Sequence, residues 1–133
     1  MSKTDIVRKT IDLQVLQFTV VSGGEAQGTI RKIGDTYAVA WLAEDTFGTK
    51  TLVAGKTGTA ITKCSEGKLP KVTGSGTAFV VGDTIWFNET NLNVSPTQGS
   101  GYTKKLGYAT QAAAAAATGV WADYDFRYHS IST

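Results

Sequence analysis

The chain has 133 residues, 41% of them hydrophobic, with thirteen Lys and Arg against eleven Asp and Glu. That is enough apolar material for one buried core, which excludes a disordered chain, and a net charge of +2 is too small an excess to mark a nucleic-acid footprint. Cys64 is the only cysteine, which excludes an intrachain disulfide, and no apolar run reaches the roughly 18 residues a membrane span needs. Met1 to Asp5 lacks the apolar core of a secretory signal, so the sequence leads us to expect synthesis in a cytoplasm.

Three Trp, five Tyr and five Phe, many Thr and Val, and fifteen Gly against two Pro favour short strands joined by turns. Residues 1–12 are polar, with Arg8, Lys9 and Asp12 interrupting Ile6, Val7 and Ile11, and they read as a flexible N-terminal arm that orders only against something else. The single β domain then covers 13–133. From Leu13 to Val21 the apolar residues change phase. Leu13 and Val15 share one parity, Leu16, Phe18 and Val20 the other, as in a strand with a bulge; a short helix over 11–18 is the alternative.

After the Ser22 to Glu25 turn, Gly28 to Ile33 is a strand ended by Gly34-Asp35. Thr36 to Leu42 follows with Tyr37, Val39 and Trp41 on one face and the small Ala38 and Ala40 on the other, where a second sheet or another subunit can approach closely. Thr49 to Val53 and Gly58 to Cys64 read as two more strands, with Ser65-Glu66-Gly67 as a turn and Pro70 placing Leu69 to Val72 at an edge. Val80 to Asn88 is a Gly82-Asp83 turn feeding an aromatic strand, in which Ile85 and Phe87 face the core and Trp86 the opposite side. Thr103 to Thr110 and Trp121 to His129 complete the set, the last with Ala122, Tyr124, Phe126 and Tyr128 on one face. Ala112 to Ala117 is too short to nucleate more than a turn or two of helix. The expectation is an all-β fold: a small single-domain sandwich or barrel of about eight short strands, with at most one short helix near the alanine run.

The candidate chemistry is thin. Gly55-Lys56-Thr57 lacks the four-residue spacing from an upstream glycine that a phosphate loop requires, since Gly48 is too far upstream, and it reads as a turn with a solvated lysine. His129 is the sole histidine, so neither a two-histidine metal site nor a serine-protease triad is expected. Cys64 has only Lys63 beside it, and strand alternation turns that lysine to the other face, leaving Cys64 as a core residue. Glu44-Asp45 and the Asp123/Asp125 pair read as solvated carboxylates rather than a cation site. Trp41, Trp86 and Trp121 with Tyr102 and Tyr108 offer a stacking platform for sugar or single-stranded nucleic acid, or equally core and subunit contacts.

Four stretches, taken in order, resemble the capsid cement, or head decoration, proteins of tailed bacteriophages. They are Ile33 to Ala40, Leu69-Pro70-Lys71, Val80 to Phe87, and Lys105-Leu106-Gly107-Tyr108-Ala109 running into Ala112 to Ala117. The resemblance covers about Gly28 to Arg127. It departs in a longer interval between Gly55 and Leu69, and in Tyr124, Phe126 and Tyr128 where the family is typically aliphatic and basic. It implies a structural virion protein, not an enzyme, with no cofactor and no metal. Such a protein is made in the host cytoplasm and bound to the outer surface of the expanded head, where it ties major capsid protein subunits together. The implied partners are the major capsid protein and the chain itself, as a homotrimer or alternatively a dimer, with no membrane and no specific nucleic acid. On this reading Ile6, Val7, Arg8, Lys9 and Ile11 contact the capsid by strand addition, and Trp86 meets a neighbouring subunit. The competing reading is a stand-alone β module that binds glycan or single-stranded nucleic acid through its Trp and Tyr surface.

Overall fold

The computed structural model describes residues 6–9, 13–21, 24–43 and 51–126. Among them lie eleven strands: β1 (Val7–Lys9), β2 (Gln14–Thr19), β3 (Glu25–Ala26), β4 (Ile30–Ile33), β5 (Thr36–Ala43), β6 (Thr51–Leu52), β7 (Thr57–Pro70), β8 (Thr84–Asn88), β9 (Asn93–Ser95), β10 (Tyr102–Ala109) and β11 (Gly119–Asp125). The fold is all-β, as the composition and alternation require.

β7 organises the molecule. Its 14 residues run without a break, and each half has neighbours on both edges. Ile61 pairs with Val15 of β2 and with Val39 of β5, while Gly67 pairs with Val7 of β1 and with Ala122 of β11. β1 and β2 therefore share one edge, and β5 and β11 the other. From β11 the sheet continues through β10 and β8 to β9. It returns to the start through a parallel bridge between Val94 and Lys71, where the Val72 amide donates to the Val94 carbonyl at 2.9 Å. With β5 and β4 these strands form a nearly closed, barrel-like sheet of seven, and Ile30, Val39 and Trp41 contribute to the core it encloses.

The turn expected at Ser65-Glu66-Gly67 is instead the middle of β7. Gly67 serves close packing: a Cβ there would lie 2.9 Å from Tyr124 Cε2 and 3.0 Å from Cys64 Sγ. The alanine run forms no helix either. Ala113 and Phe79 exchange backbone hydrogen bonds of 2.8 and 3.0 Å, the chain then turns with Ala117 N donating to the Ala114 carbonyl at 3.0 Å, and alternate alanines are exposed. A helix so short gains few internal bonds, and pairing with Phe79 supplies the same bonds while burying the phenyl ring.

Other expectations hold. β2 has its bulge between Gln14 and Val15, which moves Leu16, Phe18 and Val20 inward and leaves Val15 exposed. Val39, Trp41, Ile85, Phe87, Tyr124 and Phe126 join the main core. Rings of Tyr37, Phe87, Phe126 and Tyr124 pack edge to face in series, with centroids 5.2, 5.3 and 5.5 Å apart, tying β5 and β8 to β11 and its end. The small face of β5 is covered as anticipated: Ala40 packs with Val20, Leu52 and Phe18 in a second cluster involving the two-stranded β3–β6 sheet.

Tyr124 is fully buried, and its hydroxyl has no hydrogen-bond partner. Burial raises its pKa well above the usual tyrosine range, with the neighbouring Cys64 adding to the effect. The folded state then keeps a proton that the unfolded chain gives up above about pH 10, so stability falls with rising pH from there by about 1.4 kcal/mol per unit. Cys64, also raised by burial, acts in the same direction, whereas Lys71, lowered by burial, opposes it. Urea denaturation across alkaline pH is expected to show a steeper loss for the parent than for Tyr124→Phe. Parallel profiles would contradict the assignment.

Candidate contact surfaces

Among the described N-terminal residues, Ile6 and Val7 belong to the body. Lys68 N donates to the Ile6 carbonyl at 2.8 Å, Val7 pairs with Gly67, and the side chains of Ile6 and Val7 are buried in the main core. This corrects the picture of a wholly separate flexible arm over 1–12, and it takes two apolar side chains assigned to a partner out of reach of one. Apolar residues beside a half-strand are drawn to the nearest core, and the open upper edge of β7 provides it. Arg8 and Lys9 lie on β1, while Ile11 is outside the described residues.

The outer face of the barrel carries aromatic and charged side chains together. Trp86 lies across from Lys105 and Ser95, Trp121 across from Lys68, and Tyr108 across from Asp123 and Thr84. Trp86 and Trp121 are half-buried and Tyr108 is exposed; the Tyr108 hydroxyl donates to Asp123 Oδ2 at 3.3 Å, and the carboxylate's charge raises the phenol pKa. Lys63, Lys105, Asp123 and Asp125 line an open cleft of about 510 Å³ on this face. Asp125 is buried rather than solvated, across from Lys63. Of the five rings considered as a platform, Trp41 and Tyr102 are in the interior, the latter donating to Asn93 Oδ1 at 2.6 Å. The fold does not gather them.

A second open cleft of about 470 Å³ lies at the other side of β10, between the Gly34-Asp35 turn and Glu89. Tyr37 donates to Glu89 Oε2 at 3.3 Å and Lys104 approaches Glu89 Oε1 at 3.7 Å; burial first, and then Glu89, raise the Tyr37 pKa. Its lining mixes Lys32 and Lys104 with Asp35 and Glu89, so it presents no single sign of charge.

The residues singled out for chemistry fall elsewhere. Gly55 occupies a tight turn with φ +82°, in which Lys56 N donates to the Val53 carbonyl, and Thr57 opens β7 where a phosphate loop would open a helix. Cys64 is fully buried and its thiol is pushed up by burial, the opposite of an activated nucleophile. His129, Glu44 and Asp45 lie outside the described residues. Among the described residues no group of three His, Cys, Asp or Glu is placed to hold a metal ion.

Sequence reasoning missed two buried charges. Glu66 on β7 accepts from Thr110 Oγ1 at 2.8 Å and from Gln111 Nε2 at 3.1 Å, fixing the start of the alanine run. Lys71 is buried and donates to the carbonyls of Val72, Ala115 and Ala117 at 2.7, 3.1 and 3.2 Å, and to Thr77 Oγ1 at 3.4 Å. No signal in the sequence distinguished these from solvated charges, because Thr110, Gln111, Ala115 and Ala117 lie more than forty positions further along the chain.

The chain is an all-β body nearly closed around a main core, with its named side chains placed in packing or on outward faces. A family model described as phage cement protein matches residues 11–123, and the chain belongs to that family. Its role is accordingly structural and associated with the phage capsid. Comparison with curated proteins finds no match, and comparison with solved structures finds none.

Proposed function

We propose that the protein binds the outer surface of the expanded phage head, at junctions between major capsid protein subunits, and ties those subunits together against the pressure of packaged DNA. The observation that carries this reading is the family match over residues 11–123, taken with a rigid β body whose outer face combines aromatic rings with paired charges. Self-association as a trimer multiplies weak contacts into firm attachment, because one bound subunit holds the others at high effective concentration. The N-terminal segment is the capsid-facing element: Ile6 and Val7 anchor its base in the core, and Arg8, Lys9 and Ile11 are assigned to the contact itself. Trp86 is assigned to a neighbouring subunit, since a half-buried indole on an outer face gains apolar burial when covered.

Incubation with expanded, undecorated heads tests the reading. Saturable, stoichiometric binding that raises the temperature at which the heads release DNA is the expected outcome. Absence of binding, or binding without any gain in head stability, would overturn it. Replacing Arg8 and Lys9 by Glu is expected to weaken binding while leaving the melting temperature of the free protein within a few degrees of the parent.

A further inference from the structure

Sheet edges are ordinarily guarded, because a strand with unpaired amides and carbonyls along one side accepts any other strand; charged residues, proline, bulges or closure supply the guard. At the β4 end of this sheet Arg31 and Lys32 supply it, and at the β9 end the bridge from Val94 to Lys71 closes the edge. β2 has neither. It carries no charge and no proline, the stretch 13–24 contains no Asp, Glu, Lys, Arg or His, and its bulge lies at its start, between Gln14 and Val15. None of its residues is buried, and Val15 and the nearby Val21 are 43% and 45% exposed.

The ladder fixes which backbone groups are left over. β2 pairs with β7 in register from Val15–Ile61 to Thr19–Thr57, and Val20 N donates to the Lys56 carbonyl at 2.9 Å. Bonded and non-bonded pairs alternate along an antiparallel ladder, so Leu16 and Phe18 turn their backbone groups to β7 as Val20 does, while Val15, Gln17 and Thr19 turn theirs away. The far side of β7 agrees: Ala40 bonds to Gly28 and Thr29, which leaves its neighbour Val39 to bond with Ile61, the residue across from Val15. Among the described residues nothing pairs with the outward amides and carbonyls of Val15, Gln17 and Thr19. These groups recur about every 6.8 Å, a donor and an acceptor at each step. An extended polypeptide matches that repeat, whereas the phosphates of a nucleic acid accept but do not donate. Leu16 and Phe18, half-buried on the inner face of the same edge, gain cover from the apolar side chains of such a strand.

We infer that the free edge of β2 receives an extended segment of the major capsid protein as an added strand. The inference rests on the reading of the protein as a capsid cement and adds that its own sheet is the acceptor. Continuity points to the capsid. β1 and β2 lie end to end on one edge of β7, both antiparallel to it, so a strand laid along β2 runs on toward β1, the element that carries Arg8 and Lys9.

Hydrogen exchange of the full chain, free and bound to expanded, undecorated heads, tests the inference. In the free protein the amides of Val15, Gln17 and Thr19 are expected to exchange fast and those of Leu16 and Phe18 slowly; on the heads all of them become slow. Gln17→Pro removes an outward donor that the β7 ladder does not use. It is expected to raise the dissociation constant for heads about tenfold or more, with the melting temperature of the free protein within a few degrees of the parent. If heads bind the parent without slowing the outward amides, or bind Gln17→Pro as tightly as the parent, the inference fails and the cement reading stands. If heads do not bind the parent at all, both fail. Slowing of the outward amides in the free protein as its concentration rises would give the edge to a second copy and refute the inference equally.

Discussion

Gly107→Ala is expected to destabilise the protein by about 3–5 kcal/mol, enough to leave much of it unfolded. Gly107 sits inside β10 with β8 and β11 on its two sides, paired to Ile85 and Tyr124. A Cβ at this position would collide with the Asp123 carbonyl oxygen, lie 2.9 Å from the Asp123 carbonyl carbon and 3.2 Å from Tyr124 Cα. All three are backbone atoms of β11, which is held in turn against β7 and cannot yield as the end of a side chain does. Gly76→Ala provides the contrast. That glycine has φ +80° and open space around it, so the cost is the backbone conformation alone, about 1 kcal/mol. Urea denaturation of both variants measures the difference, and a Gly107→Ala protein as stable as Gly76→Ala would show that β10 and β11 are not in this close register.

Lys71→Met is expected to cost about 2–4 kcal/mol, because the thioether fills the space of the stem but donates nothing. Ala115 retains Gly74 N and Thr77 Oγ1 as donors, so the loss falls on Ala117 and Val72 and on the fixing of one loop to the other. Lys71→Arg is not expected to rescue, since a planar guanidinium cannot point its donors at the same converging acceptors. The specific readout is local. Limited proteolysis is expected to cut the Thr73 to Thr77 loop faster in Lys71→Met, at urea concentrations where the global fold persists. Stability within about 0.5 kcal/mol of the parent, with unchanged cleavage, would mean the ammonium contributes little.

Strands with strict alternation were legible from sequence. Tyr37-Val39-Trp41, Ile85-Phe87 and Ala122-Tyr124-Phe126 each bury the face their period assigns. The phase change at Gln14 and Val15 could be read as a bulge because it moves every later side chain to the other face. The Gly82-Asp83 turn was equally plain: Asp83 N donates to the Val80 carbonyl at 3.1 Å, and Asp83 Oδ2 accepts the Val80 amide at 2.9 Å. The failures have a common cause in tertiary context. Gly67 suggested a turn, but the ring of Tyr124, 57 positions later in the chain, makes glycine necessary inside a strand. The alanine run stays within the expectation of at most one short helix, since Phe79 and Lys71 offer its backbone better partners than a helix would. Ile6 and Val7 resembled the apolar points of a free arm because the edge that receives them is formed by residues sixty positions away. The capsid-contact and subunit-contact assignments are legible only as surface chemistry, since a contact depends on the partner's shape as well as on this chain.

The uninterrupted β7 also gives the molecule a mechanical axis. A strand flanked on both edges slides along its own length only when many ladder bonds yield together, so tension applied parallel to β7 meets collective shear resistance from β2 and β5 at one end and β1 and β11 at the other. The β8–β9 hairpin, pulled apart at its tip, opens one bond at a time. Forced rupture is governed by the barrier to unfolding rather than by equilibrium stability. A molecule built this way is stiff in one direction and compliant in another, and the direction from which it is loaded decides which of the two is felt.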